Sequence, residues 1–409
     1  MTPVDLAVVG AGPAGAAAAI TAARAGLRVH VLDRAVFPRD KTCGDGLTTG
    51  ALRRLERLGL DPWRLPSWQP VRTARVRIPD GRVASLDLPD PDRVRAATVR
   101  RLELDAALVR LTRAAGAEVE EGRTVTGAAT AAGGGGVELT LQDGATLQAR
   151  YVVAADGMWS PLRKALGLAD AGYLGEWQAV RQYHRGVGPA ARDFWVWFED
   201  DLRPGYAWSF PLPGGRANVG FGVRRVPGEP TGNLRERWAE VLQRPPVASV
   251  LGPGAEPEEP VRAWPIPARI GETALAGLGG RVLFVGDAAR AADCMTGEGI
   301  AQALETGELA ARTALAWGPS APARAAREYR AVIRRGMAVD DRVSALFSRV
   351  LASERGSRGW FDIANATVRS RRVFARWMFE DFPRAGLVTP WRWRRGWLAP
   401  PAPFPVPAG

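Results

Sequence analysis

"VDLAVVGAGPAGAAAAITAARAGLRVHVLDR", residues 4–34, decides the fold. Residues 4–9 are a short apolar run with β-branched members, which predicts a strand. An alanine-rich segment follows and ends at Gly26, where glycine suits a helix C-terminus. "RVHVLDR" is a second predicted strand. Between the first strand and the helix, Gly10, Gly12 and Gly15 make G-x-G-x-x-G, with Pro13 and Ala14 in the same turn. Glycines there permit a tight turn, close approach of a pyrophosphate, and close helix–strand packing, while the helix start offers amide donors. Asp33, 18 residues after Gly15 and followed by Arg34, closes the second strand where an acid accepts from a ribose hydroxyl. This is the signature of a bound dinucleotide.

Two later segments choose among dinucleotides. "ARYVVAADGMWSPLRKALG" is a strand ending in Asp156-Gly157 before a helix, and "GGRVLFVGDAARAADCMTGEGIAQALETGELAA" a strand ending in Gly286-Asp287. The second is followed by Gly297 and Gly299, which open a helix at Ile300. An NAD domain uses one fingerprint near one switch point, whereas this chain returns to the same sheet twice more. A long ligand such as FAD explains the extra contacts, with Asp287 on its ribityl chain. The helix start after Gly299 is then aimed at the flavin's N1–C2=O edge.

Composition narrows the chemistry further. Of 55 basic residues only Lys41 and Lys164 are lysines, against 43 acids, a net charge of +12. The arginines are dispersed and no nucleic-acid motif accompanies them, so nucleic acid is not an expected partner. Cys43 and Cys294 are too few for a disulfide scaffold, and with His30 and His184 they do not suggest a metal site. Such a chain borrows its reactivity from an organic cofactor. The first strand starts within five residues of Met1, and no apolar run reaches the roughly 20 residues of a membrane span. The expected location is cytoplasmic, with peripheral membrane attachment as the variant.

With 409 residues the chain exceeds one core of roughly 250–300 residues. The expected class is α/β: a Rossmann-like FAD-binding domain, a second mixed β-sheet substrate domain and a helical C-terminal region. The discontinuous FAD-binding domain is assigned to 1–70, 97–170 and 278–320, and the substrate domain to 71–96 and 171–277. Residues 321–390 form the helical region and 391–409 a Trp/Arg- and Pro-rich tail. "AAGGGG" at 131–136 is a flexible turn between two strands. Alternating Trp and Arg in the tail either pack on the body, the favoured reading, or anchor at lipid headgroups; the last dozen residues read as disordered.

"PGYAWSFPLP", residues 204–213, sets Tyr206, Trp208 and Phe210 on one face of a short strand. By itself that face is a core or a cavity wall. Together with "FPRDKTCGDGLTTGAL" at 37–52, Arg101-x-x-x-Asp105, Asp156-Gly157 and "GDAA…GEGIAQALETG" at 286–307, it resembles the geranylgeranyl reductase family. That family lies within the FAD-dependent oxidoreductases of the aromatic hydroxylase (PHBH) fold. The resemblance implies that Tyr206, Trp208 and Phe210 wall an apolar cavity beside the flavin. Cys43 and Gly44 are placed near the isoalloxazine and Arg101 at the cofactor, with Trp195 and Trp197 added to the substrate surface. Many relatives carry proline where this chain has Cys294. The expectation drawn from this is that Cys43 and Cys294 meet at the flavin edge, against the alternative of two separately packed residues. A second departure is "CGDGLTTG", where reductases commonly continue with Pro-Arg after the threonine.

What the resemblance implies is saturation of isoprenoid carbon–carbon double bonds, with hydride from reduced flavin and a proton from Tyr206 or Cys43. No second dinucleotide fingerprint is present, so NADPH or a donor protein binds transiently. Three rivals share the sequence evidence: an FAD monooxygenase acting on an aromatic or polyketide substrate, a flavin-dependent halogenase, and a non-catalytic flavin- or lipid-binding protein.

Overall fold

A computed structural model describes residues 3–88, 92–226, 232–393 and 402–407. The deciding stretch forms strand Val4–Val9, helix Pro13–Arg24 and strand Val29–Asp33. Val4–Val9 pairs in parallel with Val29–Asp33 on one side and with Thr146–Ala154 on the other. Glu118–Glu121 and Val282–Phe284 continue the parallel run on either side, and the short Ala276–Gly277 adds an antiparallel edge beyond Val282–Phe284. Parallel neighbours need crossover connections, which helices Pro13–Arg24 and Arg101–Ala114 supply. Covered on both faces, these strands are apolar without alternation: Leu6, Ala7, Val8, Val152 and Val153 are all fully buried. The glycine-rich run at 131–136 links two antiparallel strands, Val125–Thr130 and Val137–Leu141.

Glycine sets how closely the layers approach. Gly10 has φ 102°, and a Cβ there would lie 2.3 Å from the Ala155 carbonyl oxygen. A Cβ on Gly15 would lie 1.8 Å from the Gly10 carbonyl oxygen, and one on Gly307 would lie 2.0 Å from that of Ala14. Gly307 belongs to helix Ile300–Trp317, so this last contact seats that helix directly on Pro13–Arg24.

The second sheet is mixed. Its order is Glu256–Pro257, Trp177–Arg185, Arg216–Arg224, Tyr206–Leu212, Phe194–Trp197, Thr73–Arg77, Val83–Asp87. Phe194–Trp197 joins Thr73–Arg77 in parallel, so segments far apart in sequence build one surface. Beyond residue 321 the chain is helical: Pro322–Arg335, Met337–Leu351, Glu354–Asn365 and Val368–Met378. The last three close around one aromatic cluster, in which Phe347 lies 4.9 Å from both Trp360 and Trp377.

The tail departs from expectation. Its residues 402–407 are packed: Phe404 is buried edge-on to Trp68 at 6.0 Å, and its amide donates to Glu56 at 2.9 Å. Hydrogen bonds reinforce the aromatic anchor, from the Val94 amide to the Pro403 and Phe404 carbonyls and from the Val406 amide to the Asp92 carbonyl, and a proline-rich segment has little conformational freedom to lose. Arg392 is paired through two hydrogen bonds with Asp340, at 2.8 and 2.9 Å. Trp397 and the tail residues 394–401 lie outside the described residues, as do 408 and 409. Among the described residues no helix is long and apolar enough to cross a membrane.

Gly307→Ala is expected to destabilise the fold by about 1–3 kcal/mol, because the opposing atom is backbone and has nowhere to move. Urea unfolding measures this, and a variant as stable as the parent contradicts the close helix contact.

Candidate active site

A cavity of about 660 Å³ runs from the glycine turn to the C-terminal helices. At its first end stand Gly10, Gly12, Pro13, Ala14, Asp33 and Arg34. Gly15 is not on the wall; its lack of a side chain serves packing instead. Helix Pro13–Arg24 has no side-chain cap, which leaves its first-turn amides for a ligand. The Asp33 carboxylate already accepts from the amides of Ala11, at 2.6 Å, and Ala35, at 2.8 Å, so only its remaining lone pairs can serve a ribose.

Positive charge gathers beside this turn around one buried acid. Arg101 donates twice to Asp105, at 2.8 and 2.7 Å, and Arg39 reaches the same carboxylate at 2.7 Å. Burial alone raises the Asp105 carboxyl, but the two guanidinium groups outweigh it and hold it below the ordinary range. Two cations on one anion leave a net positive wall, and Arg39 stands 3.6 Å from where a Cβ on Gly12 would be. Further along, Lys41 pairs with Asp287 at 3.0 Å, and the buried Asp156 Oδ1 has no hydrogen-bond partner within the protein. Uncapped amides, a cationic wall and an orphaned acceptor along one channel fit an extended ligand with a central pyrophosphate, as FAD is.

Cys43, Gly44, Gly286, Gly297, Gly299 and Ile300 also face the cavity. The helix start at Ile300 differs from expectation, because its amides are not bare. Glu298 Oε1 accepts from both Ile300 and Ala301 at 3.0 Å. Burial and the nearby Glu380 push the Glu298 carboxyl up, against the pull of those amides.

The segment around Cys43 is pinned by Asp45, a fully buried residue in the left-handed region at φ 65°. Its carboxylate accepts from the Tyr183 hydroxyl at 2.6 Å, the Asn218 amide at 2.9 Å and the Arg101 backbone at 3.3 Å. Asn218 also donates to the Cys43 carbonyl at 2.8 Å and accepts from the Trp208 indole at 3.1 Å. Burial pushes the Cys43 thiol up, with Arg101 opposing, so the thiol stays protonated at neutral pH.

Tyr206, Trp208 and Phe210 all face the cavity, and Phe210 stacks on Phe194 at 3.7 Å. The Tyr206 hydroxyl donates to the Thr296 carbonyl, and burial raises its pKa. Trp195 and Trp197 do not join them. Strand Phe194–Trp197 turns Phe194 and Val196 to the cavity and the two tryptophans to the opposite face, where they stack on each other at 5.5 Å. Nor does Cys294 reach Cys43: both are free, and the Cys294 thiol donates to the Asp341 carbonyl, packed with Trp177 and Ala292 off the cavity wall. Cys294, three residues ahead of the "GEGI" turn, thus points into the protein body, away from the cavity.

Arg39, Lys41, Asp45 and Glu298 sit inside the quoted motifs without having been singled out. Tyr183 and Asn218 carry no sequence signal, because they meet Asp45 only through the second sheet. The aromatic far wall made by Trp360, Phe374 and Trp377 was equally hidden.

With this geometry in view, comparison with known proteins is specific. Residues 3–312 match the FAD binding domain family. The chain is 34% identical over 339 residues to the menaquinone reductase of Mycobacterium tuberculosis (strain H37Rv), covering 75% of each. It is 32% identical over 322 residues to digeranylgeranylglycerophospholipid reductase 1 of Methanopyrus kandleri, covering 76% of this chain and 80% of that one. A geranylgeranyl bacteriochlorophyll reductase-like protein from Thermoplasma acidophilum superposes with a TM-score of 0.77 at 21% identity, over 94% of this chain and 98% of the other. The chain is an FAD-dependent oxidoreductase of the aromatic hydroxylase fold. Within that class it belongs to the geranylgeranyl reductase family.

Burial raises the Asp45 carboxyl to about 6, so between pH 4 and 6 the folded protein holds a proton that the unfolded chain has released. Stability therefore falls as pH rises through that window, by about 3 kcal/mol for this group. Asp45→Asn removes the contribution. Melting curves across pH 4–7 should be flatter for the variant, and parallel curves would contradict the assignment.

Proposed function

We propose that this protein saturates carbon–carbon double bonds of an isoprenoid chain. The observation that carries this reading is the length and lining of the cavity beyond the cofactor end. From Cys43 it continues along Val76, Ala84, Val196 and Phe198 of the second sheet to Trp360, Phe374 and Trp377. A long, flexible, apolar ligand gains from every part of such a surface, at about 25 cal/mol per Å² removed from water, whereas a single aromatic ring would leave most of it unused. The names of the reductases from Mycobacterium tuberculosis and Methanopyrus kandleri support the same reading.

In this reading the cofactor lies along Gly10, Gly12, Arg34, Arg101, Asp156 and Asp287, with its reactive ring near Cys43 and Gly44. Bound FAD, once reduced, supplies the hydride. The protein contributes position and a proton: the aromatic wall holds the alkene in line in a dry site, which matters because an isolated alkene is a poor hydride acceptor. Cys43 or Tyr206, both protonated at neutral pH, is the acid that completes the addition at the second alkene carbon and then regains its proton from water. NADPH or a donor protein restores the reduced cofactor by transient contact.

The test is product mass after anaerobic photoreduction, with geranylgeranyl lipids and prenyl quinones supplied. A gain of two hydrogens per double bond is expected; a gain of oxygen, and only in air, would assign a monooxygenase instead. Cys43→Ser and Tyr206→Phe identify the acid: the variant lacking it should lose on the order of 10²-fold or more in kcat while retaining flavin. Equal, near-parental rates for both would remove them from the proton step.

A further inference from the structure

The three helices that close the far end of the cavity have two unlike faces. Inward, Trp360, Phe374 and Trp377 line the cavity and pack on one another, with Phe347 against the two tryptophans. Outward, at helical spacing, they carry aliphatic side chains that nothing in the described protein covers: Leu346, Val350, Ile363, Val368 and Val373 are 40–66% exposed. Arginines alternate with them. Residues 342–378 hold eight arginines against two acids, Glu354 and Asp362. Both acids are engaged, Glu354 with Arg358 at 2.9 Å and Asp362 with Arg82. Arg342, Arg349, Arg355, Arg369 and Arg372 are exposed and have no acidic partner among the described residues.

We infer that the outer face of helices Met337–Leu351, Glu354–Asn365 and Val368–Met378 is a docking surface for an anionic lipid bilayer. Exposed aliphatics between unpaired arginines match an interface in which apolar side chains enter the acyl boundary while guanidinium groups meet phosphates. A bilayer is the occupant that also explains the inner face, a choice that rests on the isoprenoid reading above. The same helices wall the apolar end of the cavity, so the surface proposed to meet lipid and the surface proposed to hold a lipid-borne chain are two faces of one layer. The surface consists of the helices themselves and does not depend on the Trp/Arg tail.

The test is flotation of the flavin-loaded protein with vesicles of phosphatidylglycerol and phosphatidylcholine, against vesicles of phosphatidylcholine alone. Binding is expected to the anionic vesicles, and it should weaken at high salt. Leu346→Ser with Val373→Ser should weaken it on the order of tenfold. Arg349→Gln with Arg372→Gln should weaken it about fivefold per arginine. Leu174→Ser, an exposed aliphatic elsewhere, is the control and should bind like the parent. Unchanged flavin content and melting temperature certify that the variants fold. Unchanged flotation of both double variants overturns the inference, as does a concentration-dependent dimer that both variants abolish, which would make the face a contact between copies. Reduction of a short, detergent-soluble prenyl substrate separates the two readings. If it proceeds without vesicle binding, the docking surface alone fails; if vesicles bind and no substrate is reduced, the proposed activity alone fails.

Discussion

One buried carboxylate ties the two halves of the active site together. Asp45 lies in the Cys43 segment, outside the second sheet, yet two of its hydrogen bonds come from that sheet, through Tyr183 and Asn218. Asn218 passes the constraint on, to the Cys43 backbone and the Trp208 indole. The Cys43 segment and the aromatic wall on the other sheet are therefore held by a shared pair of side chains. Cys43 and Trp208 thus do not set their spacing independently. The left-handed backbone at Asp45 is a cost that this network offsets.

What the sequence revealed follows the range of the interactions. The glycine turn was legible because strand, turn, helix and strand are contiguous and each residue type answers a local need. Tyr206, Trp208 and Phe210 were legible as one face because alternation is local too. Period two, however, yields two faces and does not say which one meets a cavity. Trp195 and Trp197 were assigned by residue type, and the register put their smaller neighbour Val196 on the wall. Asp45 is 138 residues from Tyr183 and 173 from Asn218, and no spacing rule joins them. The far aromatic wall was hidden for a different reason: in a helix, residues such as Trp360, Phe374 and Trp377 read as ordinary core.

The near absence of lysine also has a structural use. Arg163 is buried and donates to the carbonyls of Ala288, Leu168 and Ala274, tying together loops from three parts of the chain. Arg384, also buried, pairs with Asp293 at 3.4 Å and so reaches the loop before Ile300. A planar, weakly hydrated guanidinium with several fixed donors does this where an ammonium would lose more hydration for fewer bonds. Part of the positive charge is therefore internal scaffolding, carried by buried arginines such as these two, and the exposed arginines on the C-terminal helices have a different setting.

The strand order has a consequence for how the chain is made. Val4–Val9 emerges first, but its neighbour Thr146–Ala154 and the strand beyond, Val282–Phe284, follow far later. The second sheet, meanwhile, takes Thr73–Arg77 early and its partner Phe194–Trp197 late. Neither sheet can be completed before the other has begun, so both close only once the segments beyond residue 260 have been made. Long-range closure of this kind makes folding slow and leaves apolar strand edges waiting. The interleaving that brings the glycine turn and an aromatic wall to one cavity also ties completion of both sheets to the late part of the chain.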